Sequence, residues 1–376
     1  MSRTPVTAAW KIVYRGEAIV WNHGPGLGAG ERALRKEAAL KRMAWAAATG
    51  MGVWLAYSYA KTNKTVPASE EAEAYARSLL ERVGLGELYG SWSESEMELT
   101  DRTLALYHFK GGPGDPVMVF VPGTSVYALL YTEYMYKLSK QGFNVVGFDP
   151  RGHGGSSGKR GVYTLGELVE DAMAVIDYAI ATYGGRVAVS GSSQGGMVAF
   201  YCAAAEPRLK AAVCHNVIAP DEPDNERMTR WPLLFRPMMP FLAQLRPVMA
   251  SPLGSLMTPV SLYLDLKAET SRLIPDVGRF LKEDPLAVNA VSISALHSLA
   301  STPLARRVEE IETPVMVIHA GRDNIFPEDY VRRVYDRLTC EKEFLYLPDA
   351  PHLVITDYVD DIIPPVSSWL KRVMER

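Results

Sequence analysis

At 376 residues the chain is long enough for one large α/β domain together with a substantial insertion or appendage. Its 40 Lys and Arg residues against 43 Asp and Glu residues give a net charge of −3, so a nucleic-acid partner is not expected. The three cysteines, Cys202, Cys214 and Cys340, show neither C-x-x-C spacing nor an even count, which argues against a disulfide framework or a zinc site.

Residues 1–96 are predicted to form an N-terminal extension of short strands and helices. Residues Trp10 to Trp21 favour two short strands around Arg15-Gly16. A helix is predicted from Glu31 onward, and a second from Ser69, where acidic residues occupy the first turn, to about Val83.

Residues 43–60 within this extension read MAWAAATGMGVWLAYSYA and contain no charge. A membrane-spanning helix needs roughly 20 predominantly apolar residues, and this stretch is slightly shorter and diluted by Gly, Ser, Thr and Tyr. Two interpretations stay open: a membrane-associated helix with interfacial Trp and Tyr, or an alanine-rich helix packed on the domain that follows it in the chain. Residues 1–30 lack the apolar core of a signal peptide, so a cytoplasmic location is expected, with membrane association as the alternative. The flanking basic residues are Arg35, Lys36, Lys41, Arg42, Lys61 and Lys64.

From Met97 onward, apolar strand-like runs alternate with helical segments. The clearest helix, Leu165 to Tyr183, carries one apolar stripe and follows the capping box formed by Thr164 and Glu167. Several runs are continuous and β-branched, as in strands buried on both faces of a parallel sheet. The alternation predicts an α/β fold with a mostly parallel, doubly wound sheet. The runs are Leu104–Phe109, Val117–Val121, Val145–Phe148, Val187–Ser190, Ala211–Cys214, Val315–His319 and Phe344–Leu347.

The alternation is interrupted between residues 216 and 311. This segment is rich in proline, contains five methionines and is too long to be a simple loop. We predict a mainly helical cap at 216–311, inserted between a first part of the core at 97–215 and a second part at 312–376. Flexible methionine side chains are suited to adaptable apolar surfaces, which favours binding of molecules with hydrocarbon or ring surface.

A G-x-S-x-G sequence, Gly191-Ser192-Ser193-Gln194-Gly195, lies between a strand-like run and an apolar helical segment. Strand, G-x-S-x-G and helix form the arrangement of a nucleophile elbow, in which a serine occupies a sharp turn. Only Ser193 has glycine both two residues before and two residues after it, so Ser193 rather than Ser192 is the predicted nucleophile.

A serine hydroxyl is a poor nucleophile at neutral pH and needs a base, which in turn needs an orienting acid. In folds with a nucleophile elbow, the acid and then the histidine come after the serine in the chain, on loops that follow later strands. Asp323 follows one strand-like run and His352 follows the next. Asp349 is the alternative acid, but it is three residues from His352 on the same loop, a poorer geometry. The remaining histidines, His23, His108, His153, His215, His297 and His319, are interpreted as structural.

An oxyanion needs two backbone N–H donors. Gln194 follows the nucleophile at the start of a helix, where the helix dipole adds to its donor. The loop after Val117–Val121 reads Pro122-Gly123-Thr124-Ser125, and Thr124 is the predicted second donor.

The run from Asp149 to Gly158 resembles the D-x-R-G-H-G-x-S-x-G sequence of the monoglyceride lipase and lysophospholipase-like branch of the α/β-hydrolase superfamily. The resemblance covers residues 97–214 and 313–376, with a short similarity in the cap at Glu283–Leu286. It implies an α/β-hydrolase fold, an esterase, lipase or thioesterase activity without metal or organic cofactor, and a structural role for Arg151, Gly152 and His153. Two features differ from that branch: Pro122-Gly123 stands where His-Gly is usual, and the N-terminal extension is additional.

The predicted function is therefore hydrolysis of carboxylic esters of apolar small molecules through a Ser-His-Asp triad and an acyl-enzyme. Lactones, thioesters, amides and carbon–carbon bonds are compatible with the same residues. A non-catalytic binding module is an alternative of another class, since the fold does not determine the function. The extension could serve membrane attachment through residues 43–60, homo-oligomerisation or substrate entry.

Overall fold

The computed structural model describes residues 12–15, 18–21, 29–62, 69–265 and 269–375. The chain divides into two compact units, Met1–Tyr57 and Ser58–Arg376. The predicted turn at Arg15-Gly16 lies partly outside the described residues, as do most of residues 1–30 and Lys64.

The first unit contains an antiparallel strand pair and most of a long helix. Two short strands lie in the stretch for which the sequence predicts them, and strand β1 (Ile12–Arg15) pairs with strand β2 (Ala18–Trp21). Helix α1 (Ala29–Thr62) includes the uncharged stretch at 43–60. Of the helices in the described ranges, none combines the length and the hydropathy that crossing a bilayer requires.

The second unit is built on an eight-stranded sheet. Five neighbouring pairs are parallel, and the two strands at one edge are antiparallel. The spatial order is β12-β11-β8-β7-β5-β6-β4-β3, so the mostly parallel α/β sheet predicted from the sequence is confirmed. The strands are β3 (Ser93–Glu98), β4 (Thr103–Phe109), β5 (Val117–Val121), β6 (Asn144–Phe148), β7 (Val187–Ser192), β8 (Ala211–His215), β11 (Val315–Arg322) and β12 (Lys342–Pro351).

Strand β3 is absent from the sequence-based prediction. Its sequence is SESEME and nearly all of its residues are exposed, because it forms the edge of the sheet. Acidic residues on an exposed edge strand oppose pairing with other chains and also hide the strand from an apolar pattern. The central strands are the opposite case, since every residue of β5, β6, β7 and β8 is buried.

Helices cover the sheet on the pattern that the alternation predicts. Helices α4 and α5 contact β5 and β7, whereas α3 packs on β6 and on α13. The capping box of Thr164 and Glu167 is present at the start of α4. The helices are α2 (Ser69–Arg82), α3 (Thr132–Ser139), α4 (Leu165–Tyr183), α5 (Gln194–Ala205), α6 (Pro232–Phe235), α7 (Arg246–Met249), α8 (Val260–Tyr263), α9 (Val277–Glu283), α10 (Ile293–Ser301), α11 (Glu328–Arg337), α12 (Val354–Asp357) and α13 (Val359–Met374).

In the described residues of the segment 216–311, predicted as a mainly helical cap, the structure has the short helices α6 to α10 and several 3₁₀ turns. It also contains an antiparallel pair, β9 (Met257–Pro259) with β10 (Ala290–Ser292), which the sequence analysis does not predict. The 3₁₀ segments of the second unit are Gly86–Leu88, Ala128–Tyr131, Asn225–Met228, Arg236–Leu245, Pro252–Ser255 and Val308–Glu310.

The sheet order places a topological switch between β5 and β7. After β5 the chain moves to β6 on one side, and it then returns to β7 on the other side. In open α/β sheets the crevice at such a point, beyond the carboxyl ends of the strands, is the usual ligand site. The loops that carry Thr124 and Ser193 both leave the sheet there.

Candidate active site

Ser193 occupies the turn between strand β7 and helix α5 in a strained backbone conformation. Its φ and ψ angles are 55° and −117°, outside the regions that non-glycine residues usually adopt. Such strain persists only where the surroundings hold it, and it clusters at functional sites. The Ser193 N–H donates to the His215 carbonyl at 3.0 Å, which ties the turn to the end of β8.

The two motif glycines are required by close backbone approaches. A Cβ on Gly191 would lie 2.1 Å from the Gly195 carbonyl oxygen. A Cβ on Gly195 would lie 2.1 Å from the Val121 carbonyl oxygen, on the strand that precedes the Thr124 loop. The turn is therefore possible because neither glycine carries a Cβ, as the sequence predicts.

The structure brings Ser193, His352 and Asp323 into one hydrogen-bonded chain. Ser193 Oγ lies 2.9 Å from His352 Nε2, and His352 Nδ1 lies 2.8 Å from Asp323 Oδ2. A carboxylate only accepts hydrogen bonds, so His352 carries its proton on Nδ1. Nε2 is then the acceptor for the serine hydroxyl. Asp349, the alternative acid, is exposed.

Asp323 is held by four donors. Its Oδ1 accepts from the N–H groups of Ile325 and Phe326, each at 2.8 Å. Its Oδ2 accepts from His352 and, at 2.9 Å, from the Asn216 side-chain amide. The His352 ring lies parallel to that of Phe326, with a centroid separation of 5.8 Å. The acid and the imidazole are therefore both fixed in orientation.

The two partners shift each other's pKa. Burial lowers the pKa of His352, but the charge of Asp323 and the hydrogen bond to it raise this pKa more, so it lies above the usual value. Burial raises the pKa of Asp323, but the interactions with His352 lower it more, so it lies well below its usual range. The ionised carboxylate thus makes the imidazole a stronger base.

The predicted oxyanion donors lie beside Ser193. Gln194 is the first residue of helix α5, where backbone N–H groups have no acceptor within the helix. Gly123 approaches so closely that a Cβ there would lie 3.6 Å from Ser193 Cβ. Thr124, Ser193 and Gln194 line the same cavity. Their role as donors stays a prediction.

This cavity has a volume of about 300 Å³ and is lined mainly by apolar side chains from the core and the cap. Its polar residues are few, and none of its described lining residues is Asp or Glu. A cleft of mostly apolar lining with a few convergent polar groups is the usual form of a small-molecule site. The apolar lining includes Met197, Ile218, Met228, Met239, Leu245, Met249, Leu264, Ile293, Leu296, Leu299, Ile325 and Phe326.

His215, Asp323 and His352 bring possible metal-ligand atoms within 4.8 Å of one another, the cluster of this kind found among the described residues. The ligand atoms are already in hydrogen bonds. His352 uses both ring nitrogens, and His215 Nδ1 and Nε2 lie 3.2 Å from Ser192 Oγ and 3.3 Å from Asn216 Nδ2. A metal ion here would have to break the Ser–His–Asp chain, so the geometry favours the chain over a metal site.

Sequence reasoning missed several residues around the Ser193–His352–Asp323 chain. His215 and His319, interpreted as structural, lie in a polar network that reaches Asp323 through Asn216. Glu269, in the cap, is buried and its charge acts on His352. The one sequence signal that could have identified His215 and Asn216 is their position at the carboxyl end of β8, because the strand ends at this edge of the sheet converge on the site.

The eight-stranded sheet and the strand–serine–helix turn define an α/β-hydrolase. A sequence model of the family described as serine aminopeptidase, S33, matches residues 112–358, more than half of the chain, and the chain belongs to this family. It is a serine hydrolase.

Known relatives agree with this assignment. The monoacylglycerol lipase of Mycolicibacterium smegmatis is 26% identical over 263 residues, which cover 68% of this chain and 87% of that protein. The predicted resemblance to the monoglyceride lipase-like branch is confirmed.

Solved structures of low sequence identity share the fold. The Paleococcus ferrophilus monoacylglycerol lipase has a TM-score of 0.57 at 23% identity, covering 73% of this chain and 98% of its own. A soluble variant of the Saccharomyces cerevisiae monoglyceride lipase, solved with a substrate analog, has a TM-score of 0.60 at 16% identity, covering 75% and 96%.

Proposed function

We propose that this protein hydrolyses carboxylic esters of apolar acyl groups through an acyl-enzyme on Ser193. The observation that carries the proposal is the Ser193–His352–Asp323 chain, with distances of 2.9 and 2.8 Å, at the wall of a largely apolar cavity of about 300 Å³. The relative from Mycolicibacterium smegmatis is a monoacylglycerol lipase, so monoesters of glycerol with a fatty acid are the first substrates to test.

In the acylation step His352 Nε2 accepts the Ser193 hydroxyl proton while Ser193 Oγ attacks the ester carbonyl carbon. The carbonyl electron pair moves to oxygen, which the N–H groups of Thr124 and Gln194 stabilise. The intermediate collapses with cleavage of the C–O bond, and His352 gives its proton to the departing alkoxide. Asp323 stabilises the imidazolium and keeps its tautomer. Water, activated by His352, then cleaves the acyl-enzyme and regenerates Ser193.

The cavity lining favours esters over peptides as substrates. An aminopeptidase must bind a free ammonium group, for which a buried carboxylate is the natural partner. Asp and Glu are missing from the described residues that line the cavity, and the buried Glu269, whose charge acts on His352, is not one of them. Each methylene buried on an apolar lining contributes about 0.8 kcal/mol, so binding should strengthen with acyl chain length.

The test is labelling by a fluorophosphonate probe, followed by hydrolysis of glycerol monoesters and p-nitrophenyl esters of increasing chain length. We expect wild-type labelling, loss of labelling in Ser193→Ala, and kcat/KM that rises with chain length. The neighbouring Ser192→Ala is the matched control and should still be labelled. Labelling of Ser193→Ala would contradict the assignment of Ser193 as the nucleophile. Activity confined to short acetate esters would contradict the apolar substrate class. A folded wild-type protein that is neither labelled nor active would favour a binding module.

We further infer that residues 43–60 associate with a lipid surface. Trp45 and Tyr59 are 76% and 75% exposed, and Met51, Val53 and Leu55 are also exposed. With 3.6 residues per turn, four of the five lie within an arc of about 120°; Val53 lies outside it. An apolar stripe with flanking basic residues suits the interface of a bilayer with the helix lying in its plane. The same stripe would also suit a second copy of the chain.

Vesicle flotation separates the two occupants of this stripe. We expect the wild-type chain to float with anionic vesicles, and Leu55→Glu with Tyr59→Glu to prevent it. Ala60→Glu adds charge to the same helix without removing a large apolar side chain, and should have little effect. A chain that does not float but is dimeric by light scattering would instead support self-association. The cytoplasmic location stays a prediction.

A further inference from the structure

A chain of buried polar groups continues from Asp323 through Asn216 to His319. Asn216 Nδ2 lies 2.9 Å from Asp323 Oδ2, and His319 Nδ1 lies 2.8 Å from Asn216 Oδ1. Asn216 and His319 are 0% and 1% exposed. With the triad, these contacts make one continuous hydrogen-bonded path from Ser193 Oγ to His319.

The donors and acceptors between Asp323, Asn216 and His319 follow from the carboxylate. The Asp323 carboxylate accepts, so the atom of Asn216 that faces it is the amide nitrogen. Asn216 Oδ1 is then an acceptor, and His319 must carry its proton on Nδ1. The second amide hydrogen of Asn216 points to His215 Nε2 at 3.3 Å, and His215 Nδ1 lies 3.2 Å from Ser192 Oγ and 3.3 Å from the Ser193 backbone nitrogen. Every polar atom of the Asn216 amide has a partner.

The backbone of Asn216 is unusual. Its φ angle is 70°, in the left-handed region that favours glycine and, among other residues, asparagine. Asn216 directly follows His215, the end of β8, whose carbonyl accepts from the Ser193 N–H. One residue thus connects the nucleophile turn with the acid, two segments that are 130 residues apart in the chain.

A purely structural role would not require Asn216 to contact this oxygen. Asp323 Oδ1 is already anchored by two backbone N–H groups, from Ile325 and Phe326. Asn216 instead binds Oδ2, the oxygen that also accepts from His352. The Asn216 amide N–H therefore takes up part of the negative charge of Oδ2 that acts on the imidazole. It also limits rotation of the carboxylate, which keeps Oδ2 hydrogen-bonded to His352 Nδ1.

We propose that Asn216 is a positioning residue for the catalytic triad, and that His319 sets the orientation of its amide. The inference rests on the proposed hydrolase mechanism. Neither residue contacts the substrate in this role, since each acts through Asp323.

Loss of the Asn216 donor should affect both rate and pH dependence. Without it, the full negative charge of Oδ2 acts on His352 and raises the pKa of the imidazole further. Asp323 and His215 lie against His352 in the core, and the charge of Glu269 acts on it from the cap. Glu328 and Arg332 act on His319 from helix α11. The free energy lost with one hydrogen bond to a charged group corresponds to a fall in rate of roughly ten-fold to one-hundred-fold.

The test compares Asn216→Gly with wild type. Glycine adopts a φ of 70° without strain, so this variant removes the amide and keeps the backbone. We expect kcat lower by roughly ten-fold or more, KM nearly unchanged, and the acid limb of kcat/KM shifted to higher pH. Folding is checked by circular dichroism, and Ser193→Ala is assayed in parallel as the inactive reference.

The His319 variants provide a second, independent test if Asn216→Gly does not fold. His319→Asn keeps an N–H donor two bonds beyond Cβ, whereas His319→Ala removes it. We expect His319→Ala to lower kcat and shift the acid limb in the same direction as Asn216→Gly, and His319→Asn to restore most of both.

Folded Asn216→Gly with wild-type kcat and an unmoved acid limb would overturn the proposal for Asn216. Equal kcat and equal acid limbs for His319→Ala and His319→Asn would overturn the proposal for His319. Turnover that survives in Ser193→Ala would instead overturn the proposed hydrolase mechanism itself, and would be seen in the same assay.

Discussion

The Tyr127 hydroxyl donates a 2.8 Å hydrogen bond to Asp284 Oδ2, joining the loop after β5 to the cap across 157 residues of sequence. Both residues are buried. Asp284 Oδ1 also accepts from the N–H groups of Leu286, at 2.8 Å, and Ala287, at 3.3 Å. Burial raises the pKa of Asp284, and these donors partly offset that rise. The Tyr127 loop carries Thr124, so this contact holds the cap against the predicted oxyanion donor.

Tyr127→Phe should destabilise the fold, because the variant leaves a buried carboxylate oxygen without one of its donors. We expect a loss of about 1–3 kcal/mol in the free energy of unfolding, measured by urea denaturation. Tyr136→Phe is the control, since Tyr136 is partly exposed and its ring lies 4.6 Å from the Lys140 ammonium, a contact that phenylalanine keeps. Equal midpoints for the two variants would contradict the importance of the Tyr127–Asp284 contact.

Gly195→Ala should damage both folding and labelling of Ser193. The new methyl group would lie 2.1 Å from the Val121 carbonyl oxygen and 2.5 Å from that of Pro122, so the Thr124 loop would have to move. Overpacking of this kind costs typically about 1–3 kcal/mol. Gly185→Ala is the control, because no atom lies within 4 Å of its added Cβ. Melting temperature and probe labelling measure the two effects; a labelled Gly195→Ala of wild-type stability would be inconsistent with this geometry.

The pH dependence of kcat/KM follows from the raised pKa of His352. The histidine must be neutral to accept the serine proton, so activity is present above its pKa and is lost as the pH falls through it. Because the charge of Asp323 raises that pKa above 6.5, the midpoint of the acid limb should lie above pH 6.5. A profile between pH 5 and 9 measures it. An acid limb centred below pH 6.5 would show that burial of the imidazole outweighs the carboxylate.

Met249→Trp should shorten the acyl chains that the enzyme accepts. Met249 lines the cavity, and the larger indole would occupy part of the volume of about 300 Å³. Since one buried methylene contributes about 0.8 kcal/mol, each methylene excluded should lower kcat/KM about four-fold. Val248→Trp is the control, because the neighbouring Val248 is exposed and is not a lining residue. An unchanged chain-length profile for Met249→Trp would place the acyl group elsewhere.

Local patterns in the sequence predicted much of the sheet. The run Val117–Val121 and the helix Leu165–Tyr183 have in the structure the bounds predicted for them, because both are defined by continuous or periodic apolar residues. The turn around Ser193 was also predictable, since its glycines are needed by the backbone itself. Strand β3 was not, because an exposed edge strand has no apolar pattern. The pair of β9 and β10 is only three residues long on each side and depends on contacts within the cap.

The order of Ser193, Asp323 and His352 in the chain, and their positions after strands, could be read from the sequence by itself. Their roles in catalysis stay predictions for the assays above. Only the tertiary structure decided which further polar residues lie around this site: Asn216, His215, His319 and Glu269. A buried polar side chain has the same appearance in a sequence whether it stabilises a core or faces a carboxylate. What distinguishes the two is which atoms lie within 3 Å, and folding sets those distances between residues far apart in the chain.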